Sequence, residues 1–323
     1  MLIGTLTYSL PGPPLAVYLV GVFGLLNIRK PPGPTSHDMV DVIRRRLLRE
    51  VKVGHAGTLD PFAEGVLVVC LGPAVRLASY IQDRPKTYLA EVVLGATSST
   101  DDITGQIIEA APGLPPDERQ VRAILQGFTG EIQQVPPAYS AVHLDGQRAY
   151  KVARAGGRPD LSARTVVVHS IDLVRYEYPR LELEVACGAG TYIRAIARDI
   201  GDKLGTGGYC AKLIRTRVGP FGIEDAHRPE EAELSRHLLP AVLAVEHLEK
   251  VELDADACLA LAAGRPVRLP AGLETVGHGG IAPSEKEPPP GELAVLDRQG
   301  ELVAIAKPVP PAGTIRAIKV FRR

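Results

Sequence analysis

The sequence predicts an α+β fold, a mixed-sheet body followed by a small β-rich module at the C-terminal end. Three observations carry this. Val66–Leu71 is a continuous apolar run with the length and branched side chains of a buried strand. Ile193, Ile196, Ala197, Ile200 and Leu204 recur at i, i+3, i+4, i+7 and i+11, the stripe of an amphipathic helix. Beyond Pro240–Lys250 the pattern changes to one short helix and four strand-length runs.

Along the chain, Pro11, Pro13 and Pro14 precede an apolar run from Leu15 to Leu26. That run is shorter than the ~20 residues of a membrane span and no basic stretch precedes it. An unstructured extension, or a translation start placed too far upstream, is therefore expected. Leu25–Ile28 reads as a strand closed by the turn Lys30-Pro31-Pro32-Gly33-Pro34. Ser36 is the expected N-cap of a helix to about Leu48, with Met39, Val40, Ile43 and Leu47 on one side. Val66–Leu71 and Thr87–Leu94 read as strands, Asp117–Gln126 as a helix, and Val166–Tyr178 with Leu181–Ala186 as a strand pair joined through Pro179 and Arg180. The helix that begins near Thr191 keeps Arg194 and Arg198 off its apolar stripe and stops at Gly205, Gly207 and Gly208, before a strand at Tyr209–Thr216. In the C-terminal module the expectations are a helix at Asp254–Ala263 and strands at Pro266–Leu269, Glu292–Asp297, Leu302–Lys307 and Arg316–Phe321. Residues 271–291, rich in Gly and Pro, read as an insertion. The expected organisation is thus an extension over 1–23, a body over 24–247 and a module over 248–323.

Composition narrows the functional classes only a little. Cys70, Cys187, Cys210 and Cys258 are scattered, with neither a C-x-x-C pair nor a histidine at ligand spacing, so no zinc site or disulfide framework is indicated and a cytoplasmic location is expected. Lys+Arg and Asp+Glu are equal at 37 each, so total charge does not point to nucleic acid. A local basic surface is what binding requires, and Arg44, Arg45, Arg46, Arg49 and Lys52, then Arg194, Arg198, Lys212, Arg215 and Arg217, are the candidate stretches.

The most informative segment is Gly54-His55-Ala56-Gly57-Thr58-Leu59-Asp60-Pro61-Phe62-Ala63-Glu64-Gly65. Its three glycines permit positive φ or close approach of the backbone to a ligand. Proline after Asp60 restricts that residue to extended conformations, which limits where the carboxylate points. Asp-Pro also begins helices, with aspartate as N-cap and proline at the first helical position, and the dipeptide alone does not separate the two readings.

The full string G-H-x-G-T-L-D-P-x-A-x-G closely resembles the catalytic loop of the TruB-type pseudouridine synthases. Further strings of that family follow in order. Gly24–Ser36 resembles the opening K-P-x-G-x-T-S motif, Lys86-Thr87-Tyr88 the K-x-Y strand, and Thr100–Gly105 the T-x-D-x-x-G loop. Pro136–Ala141 and Gly146–Tyr150 resemble P-P-x-Y-S-A and G-x-R-A-Y, Gly190–Arg194 matches G-T-Y-I-R, and Leu213–Thr216 resembles L-x-R-T. The resemblance runs from about residue 24 onward and fades after Pro240, where the chain is similar to a small PUA-type RNA-binding module. Ser99 and His143 depart from the family pattern, standing where an aspartate and a lysine are usual.

The resemblance implies a tRNA pseudouridine synthase of the bacterial type, an isomerase acting on uridine 55 of the T-loop by flipping the base out of its stack. It implies Asp60 as the catalytic carboxylate, Arg194 as the guanidinium that keeps it ionised, and Tyr88 as the platform under the base. His55 is implied to fill the space the nucleotide leaves and Leu213 to pack on the base. Lys30, Tyr192 and Arg215, within the other matched strings, complete the set expected at the RNA. Read without the resemblance, Tyr88 is a half-buried strand tyrosine, Leu213 a core leucine, His55 a solvated loop histidine and Arg194 one half of a surface pair. The reaction breaks N1–C1′ and joins C5 to C1′ with no net redox change, so neither cofactor nor metal is expected. The implied partner is tRNA, met at the T-arm and acceptor end by a monomer with no obligate protein partner and no membrane attachment. An RNA chaperone that binds without turnover, and the relative that works inside a guide-RNA particle, are the competing readings.

Overall fold

The structure, a computed structural model, describes residues 22–111, 113–140, 142–144, 147–157, 159–269, 291–310 and 313–321. The expected insertion at 271–291 therefore falls outside the described residues except for Gly291, as does most of the extension expected over 1–23. Val22 and Phe23 are described, and they are packed. Val22 is buried, and the Phe23 ring stacks on Phe321 with centroids 5.4 Å apart.

A nine-stranded mixed sheet forms the body. It begins with β1 (Gly24–Lys30), which runs two residues further than expected so that Lys30 is part of the sheet. Helix α1 (Ser36–Arg44) follows, then β2 (Val53–Ala56) and β3 (Glu64–Leu71). The N-cap of α1 is Thr35 rather than Ser36, in a reciprocal capping box with Asp38. The helix ends at Arg44 instead of Leu48, because Arg46 and Leu47 bond back only three residues, to Ile43 and Arg44. Next come the short helix α2 (Ala78–Gln82), β4 (Lys86–Leu94) and the small hairpin β5 (Ala96–Ser98) and β6 (Ile107–Glu109). Helix α3 (Glu118–Leu125) is capped by Asp117, and β7 (Gly130–Gln134) follows it.

After a two-residue strand pair, β8 (His143–Leu144) with β9 (Gln147–Arg148), and helix α4 (Ala149–Arg154) comes the expected antiparallel pair. This is β10 (Arg164–Glu177) with β11 (Arg180–Cys187), turning at the cis peptide Tyr178–Pro179. The clearest helix of the sequence, α5 (Ile193–Leu204), ends on Gly205 in the left-handed conformation. It leads into β12 (Gly208–Val218), and β13 (Phe221–Gly222) pairs back on it. The sheet order is β1-β3-β12-β4-β11-β10-β7, with helices α3 and α5 packed against its central strands.

After α6 (Leu234–His237) the module's five-stranded sheet starts at β14 (Glu249–Glu252), followed by α7 (Ala255–Ala262) and β15 (Val267–Arg268). β16 (Leu293–Leu296), β17 (Leu302–Val309) and β18 (Thr314–Val320) complete it in the order β14-β16-β17-β18-β15. Ala294, Leu302, Ile305 and Phe321 of the module share a core with Leu25, Val66, Leu77 and Ile81 of the body. All four cysteines are buried thiols. No helix among the described residues is long and apolar enough to cross a membrane.

Candidate active site

The Asp60 loop sits where β3 changes partners. Its C-terminal half pairs with β2 (Ala56 opposite Val68), whereas its first residues lie parallel to β12, with Ile214 and Arg215 beside Glu64 and Gly65. The chain between Ala56 and Glu64 is thus lifted out of the sheet at a fork between two neighbours. Gly65 makes this possible. Its φ is +112°, and a Cβ there would overlap the Arg215 carbonyl. Pro61 begins a turn closed by the Ala63 N–H on the Asp60 carbonyl at 3.1 Å, so the helix-start reading of Asp-Pro does not apply.

Buried side chains hold the loop's backbone on several sides. Ser36 Oγ donates to the Leu59 carbonyl and accepts from the Leu59 N–H, at 3.1 and 2.9 Å. Lys30, with no exposed surface, donates through Nζ to the carbonyls of Pro31, Pro61 and Ala63 at 3.0, 3.1 and 2.7 Å. Arg215, 1% exposed, donates to Val66 and Gly57 at 2.8 and 3.1 Å and to Thr58 at 3.4 Å. Burial brings Lys30 down to about 8, with the Asp60 charge opposing that shift. Burying two cations is costly unless their donors are satisfied, and here loop carbonyls satisfy them.

What this rigid loop presents is the Asp60 carboxylate. Arg194, in the first turn of α5, places Nε 2.8 Å from Asp60 Oδ2, off the N–H axis, so charge more than a linear hydrogen bond joins them. The rest of the guanidinium is committed elsewhere. Nη1 donates to Asp102 Oδ2 at 3.1 Å and to the Thr100 carbonyl at 2.9 Å, and Nη2 to the Tyr139 carbonyl at 3.0 Å. Arg194 is 3% exposed, which rules out the surface-pair reading. Asp102 is a second carboxylate that the sequence did not single out. Its other oxygen accepts from the Thr100 and Thr104 hydroxyls and the Thr104 N–H, so the surrounding loop occupies it. Outside this, Arg198 pairs with Asp101 and Asp199, both at 2.8 Å.

Burial raises the Asp60 pKa; Arg194 pulls against that shift, Asp102 adds to it, and the net direction is upward. The guanidinium therefore moderates the cost of ionising Asp60 without reversing it. About a third of the Asp60 side-chain surface stays open, and it faces a cavity of about 400 Å³. Tyr88, Leu213, Tyr192, Arg215, Lys86 and Gln82 line that cavity together with Asp60 and Arg194. Tyr88 on β4 lies directly opposite Arg215 on β12, and burial pushes its phenol up to about 12. Lys86, two residues earlier on the same face of β4, donates to the Gln82 and Arg84 carbonyls, both at 2.6 Å, and burial brings it down to about 8. The backbone of Tyr192 is gripped at both ends by buried Gln134, whose Oε1 accepts from its N–H at 2.8 Å and whose Nε2 donates to its carbonyl at 3.1 Å.

Six of the eight expected residues therefore meet at one cavity: Asp60, Tyr88, Tyr192, Arg194, Leu213 and Arg215. Lys30 and His55 do not line it. Lys30 lies under the loop. His55 sits on β2 opposite Val69, half-buried, with Nδ1 unpartnered and its pKa lowered by burial and then by the Arg215 charge. Asp102 and Gln134 escaped the sequence reading, although the T-x-D-x-x-G string contained the first. No group of three or more His, Cys, Asp or Glu placed to hold a metal occurs among the described residues.

A family model for the TruB family pseudouridylate synthase (N terminal domain) matches residues 45–193, a span that includes Asp60 and Tyr88. The tRNA pseudouridine synthase B of Bacillus licheniformis is 39% identical over 312 residues, 92% of this chain and 97% of the relative. That of Moorella thermoacetica is 43% identical over 237 residues, 70% of this chain and 77% of the relative. Among solved structures, a chain in an H/ACA RNP bound to a substrate RNA containing 2'-deoxyuridine matches with a TM-score of 0.66 and 27% identity, covering 93% of this chain and 86% of that one. The chain belongs to the TruB family of pseudouridylate synthases.

Proposed function

We propose that this chain converts a T-loop uridine of tRNA to pseudouridine, with Asp60 as nucleophile, Arg194 as its counter-charge and Tyr88 as the surface on which the flipped base lies. The observation that carries the reading is one carboxylate, held by a buried guanidinium on a clamped loop, with its open face turned to a cavity that Tyr88 and Leu213 line. A carboxylate attacks only when ionised, and a dry pocket favours the neutral acid. Arg194 supplies the opposing charge where it is needed. Fixing the loop through Ser36, Lys30 and Arg215 spares the reorganisation that a mobile nucleophile would require.

In the reaction the N1–C1′ bond breaks, the base turns, C5 bonds to C1′, and the C5 proton leaves as N1 gains one. Tyr88, with a phenol shifted to about 12, is protonated at neutral pH. It can therefore carry the C5 proton only as a relay, passing its own proton on as it accepts another. Leu213 and Tyr192 shape the remaining wall. Lys30 serves the reaction from beneath, by positioning the loop. The names of the relatives support tRNA as substrate, and their higher identity favours the stand-alone enzyme over the guide-RNA particle. The body over residues 24–247 would carry the chemistry, and the module over 248–323 would add salt-sensitive phosphate contacts toward the acceptor end.

The test is incubation of the protein and Asp60→Asn with T-arm RNA, followed by nucleoside analysis. Asp60→Asn should form no pseudouridine while binding RNA within about tenfold of the unaltered protein, roughly 1.4 kcal/mol. Normal turnover by Asp60→Asn would remove the mechanism. Binding without turnover by the unaltered protein would favour the chaperone reading.

A further inference from the structure

The C-terminal module grips one particular segment of the body, and that segment ends in the wall of the cavity. Residues Gly72–Leu77 form a 3-10 turn that runs directly into α2, so 72–82 is one continuous helical unit. The module holds it from several directions. Arg76 donates to the Val320 carbonyl and lies over the Phe321 ring at 4.8 Å, and Phe321 itself stacks on Phe23. Lys319 Nζ donates to the Arg76 carbonyl at 3.1 Å and sits 4.4 Å above the Tyr80 ring. The Tyr80 hydroxyl donates to Glu292 Oε2 at 2.6 Å. Just beyond the unit, Arg84 meets Glu246 at 3.5 Å, on the segment leading into the module.

The far end of the same unit belongs to the site. Gln82, the last residue of α2, lines the cavity, and its Cγ lies alongside Gly57 of the Asp60 loop. The Gln82 carbonyl and that of Arg84 receive the Lys86 ammonium, and Lys86 shares a strand face with Tyr88. A helix of five residues has little stability of its own. Its place is set by what it packs against: β1, β2, β3 and the 241–245 turn of the body on one side, and the module's contacts to Arg76 and Tyr80 on the other.

We propose that, beyond any contact with RNA, the module positions the cavity wall: Phe321, Lys319 and Glu292 clamp the 72–82 unit through Arg76 and Tyr80, and the unit in turn holds Gln82 and Lys86 beside Tyr88. Arg76, Tyr80, Glu292 and Phe321 are thus positioning residues. The inference rests on the proposed function for its effect on rate but not for its structural content.

The experiment uses the full-length chain with Phe321→Ala, and with Tyr80→Phe in case the larger change fails to fold. Arg298→Ala, on an exposed turn of the module away from the clamp, serves as control. Two readouts are taken. Hydrogen exchange on the RNA-free protein should show amides of 78–86 exchanging at least tenfold faster in Phe321→Ala, with β10 and β11, whose core excludes Phe321, unchanged. Single-turnover rates at saturating T-arm RNA, where lost affinity no longer contributes, should fall fivefold or more in Phe321→Ala, and Phe321→Tyr should restore both. Tyr80→Phe should shift both readouts in the same direction by at least twofold, and Arg298→Ala should shift neither. Unchanged exchange at 78–86 in the folded variants, or an unchanged saturating rate, overturns the proposal. Failure of the unaltered protein to form pseudouridine would instead count against the proposed function, and the exchange result would still judge the clamp.

Discussion

Replacing Arg194 by lysine keeps the charge and removes the fork, which separates two things the guanidinium does for Asp60. In the structure one planar group meets Asp60 through Nε, Asp102 and the Thr100 carbonyl through Nη1, and the Tyr139 carbonyl through Nη2. An ammonium carries its donors on a single nitrogen and cannot span those positions together. Removing two charge-assisted hydrogen bonds, at about 1.5–3 kcal/mol each, sets an upper range of ~3–6 kcal/mol. Part of that falls on folding. If ~3–4 kcal/mol reaches the transition state, kcat/KM drops about 10²–10³-fold, at about 1.36 kcal/mol per decade. The assay is single-turnover release of label from C5 of the target uridine, since that hydrogen must leave when C5 bonds to C1′. RNA affinity, measured separately, should stay within about threefold, or roughly 0.7 kcal/mol. The pH dependence has a definite sign. As the proposed nucleophile Asp60 must be ionised, and its pKa is raised above the ordinary 3.8, so activity should be complete above the shifted value and fall as pH drops through it. With the fork gone, burial is less opposed and the acid limb moves to higher pH. Turnover of Arg194→Lys within threefold of the unaltered protein, with the limb unmoved, would refute this role for Arg194.

Other substitutions test the surrounding structure. Because burial raises the Asp60 pKa, folding disfavours its charged form, so Asp60→Asn should leave thermal stability at neutral pH unchanged or higher while abolishing turnover. Lys30→Met should cost about 3 kcal/mol or more by stranding buried loop carbonyls, seen in chemical denaturation, and should lower kcat without changing the salt slope of RNA binding, which a phosphate contact would change. Gly65→Ala should prevent β3 from lying against Arg215 and remove activity together with at least ~3 kcal/mol of stability, whereas Gly33→Ala, where a Cβ meets nothing within 4 Å, should show only the milder cost of its positive φ.

Much of this site is readable in the sequence because its chemistry is carried by contiguous strings. Asp60, Tyr88 and Arg194 each lie in a string specific enough to single them out, and the structure brings the three to one cavity; the period of Ile193–Leu204 marks the helix that carries Arg194. What stays hidden depends on partners distant in sequence. Lys30 and Arg215 are expected at the RNA from their strings, and both also satisfy carbonyls of the Asp60 loop, Arg215 while lining the cavity; nothing local reveals that. Asp102 lies inside the T-x-D-x-x-G string, but its pairing with Arg194 spans 92 residues. Gln134 and β7 escape notice since the strand's pattern is mostly exposed and polar, and β6 is exposed throughout. The shift of the α1 cap from Ser36 to Thr35 has a functional reading as well, because it frees the Ser36 hydroxyl to hold Leu59 beside Asp60.

The most direct measurement is the pseudouridine content of the tRNA T-loop in cells that lack this gene and receive it back in altered form. The modification should disappear without the gene, return with the unaltered sequence, and fail to return with Asp60→Asn. A T-loop that stays modified without the gene, or that Asp60→Asn restores, would contradict the assignment of Asp60 as nucleophile in this reaction.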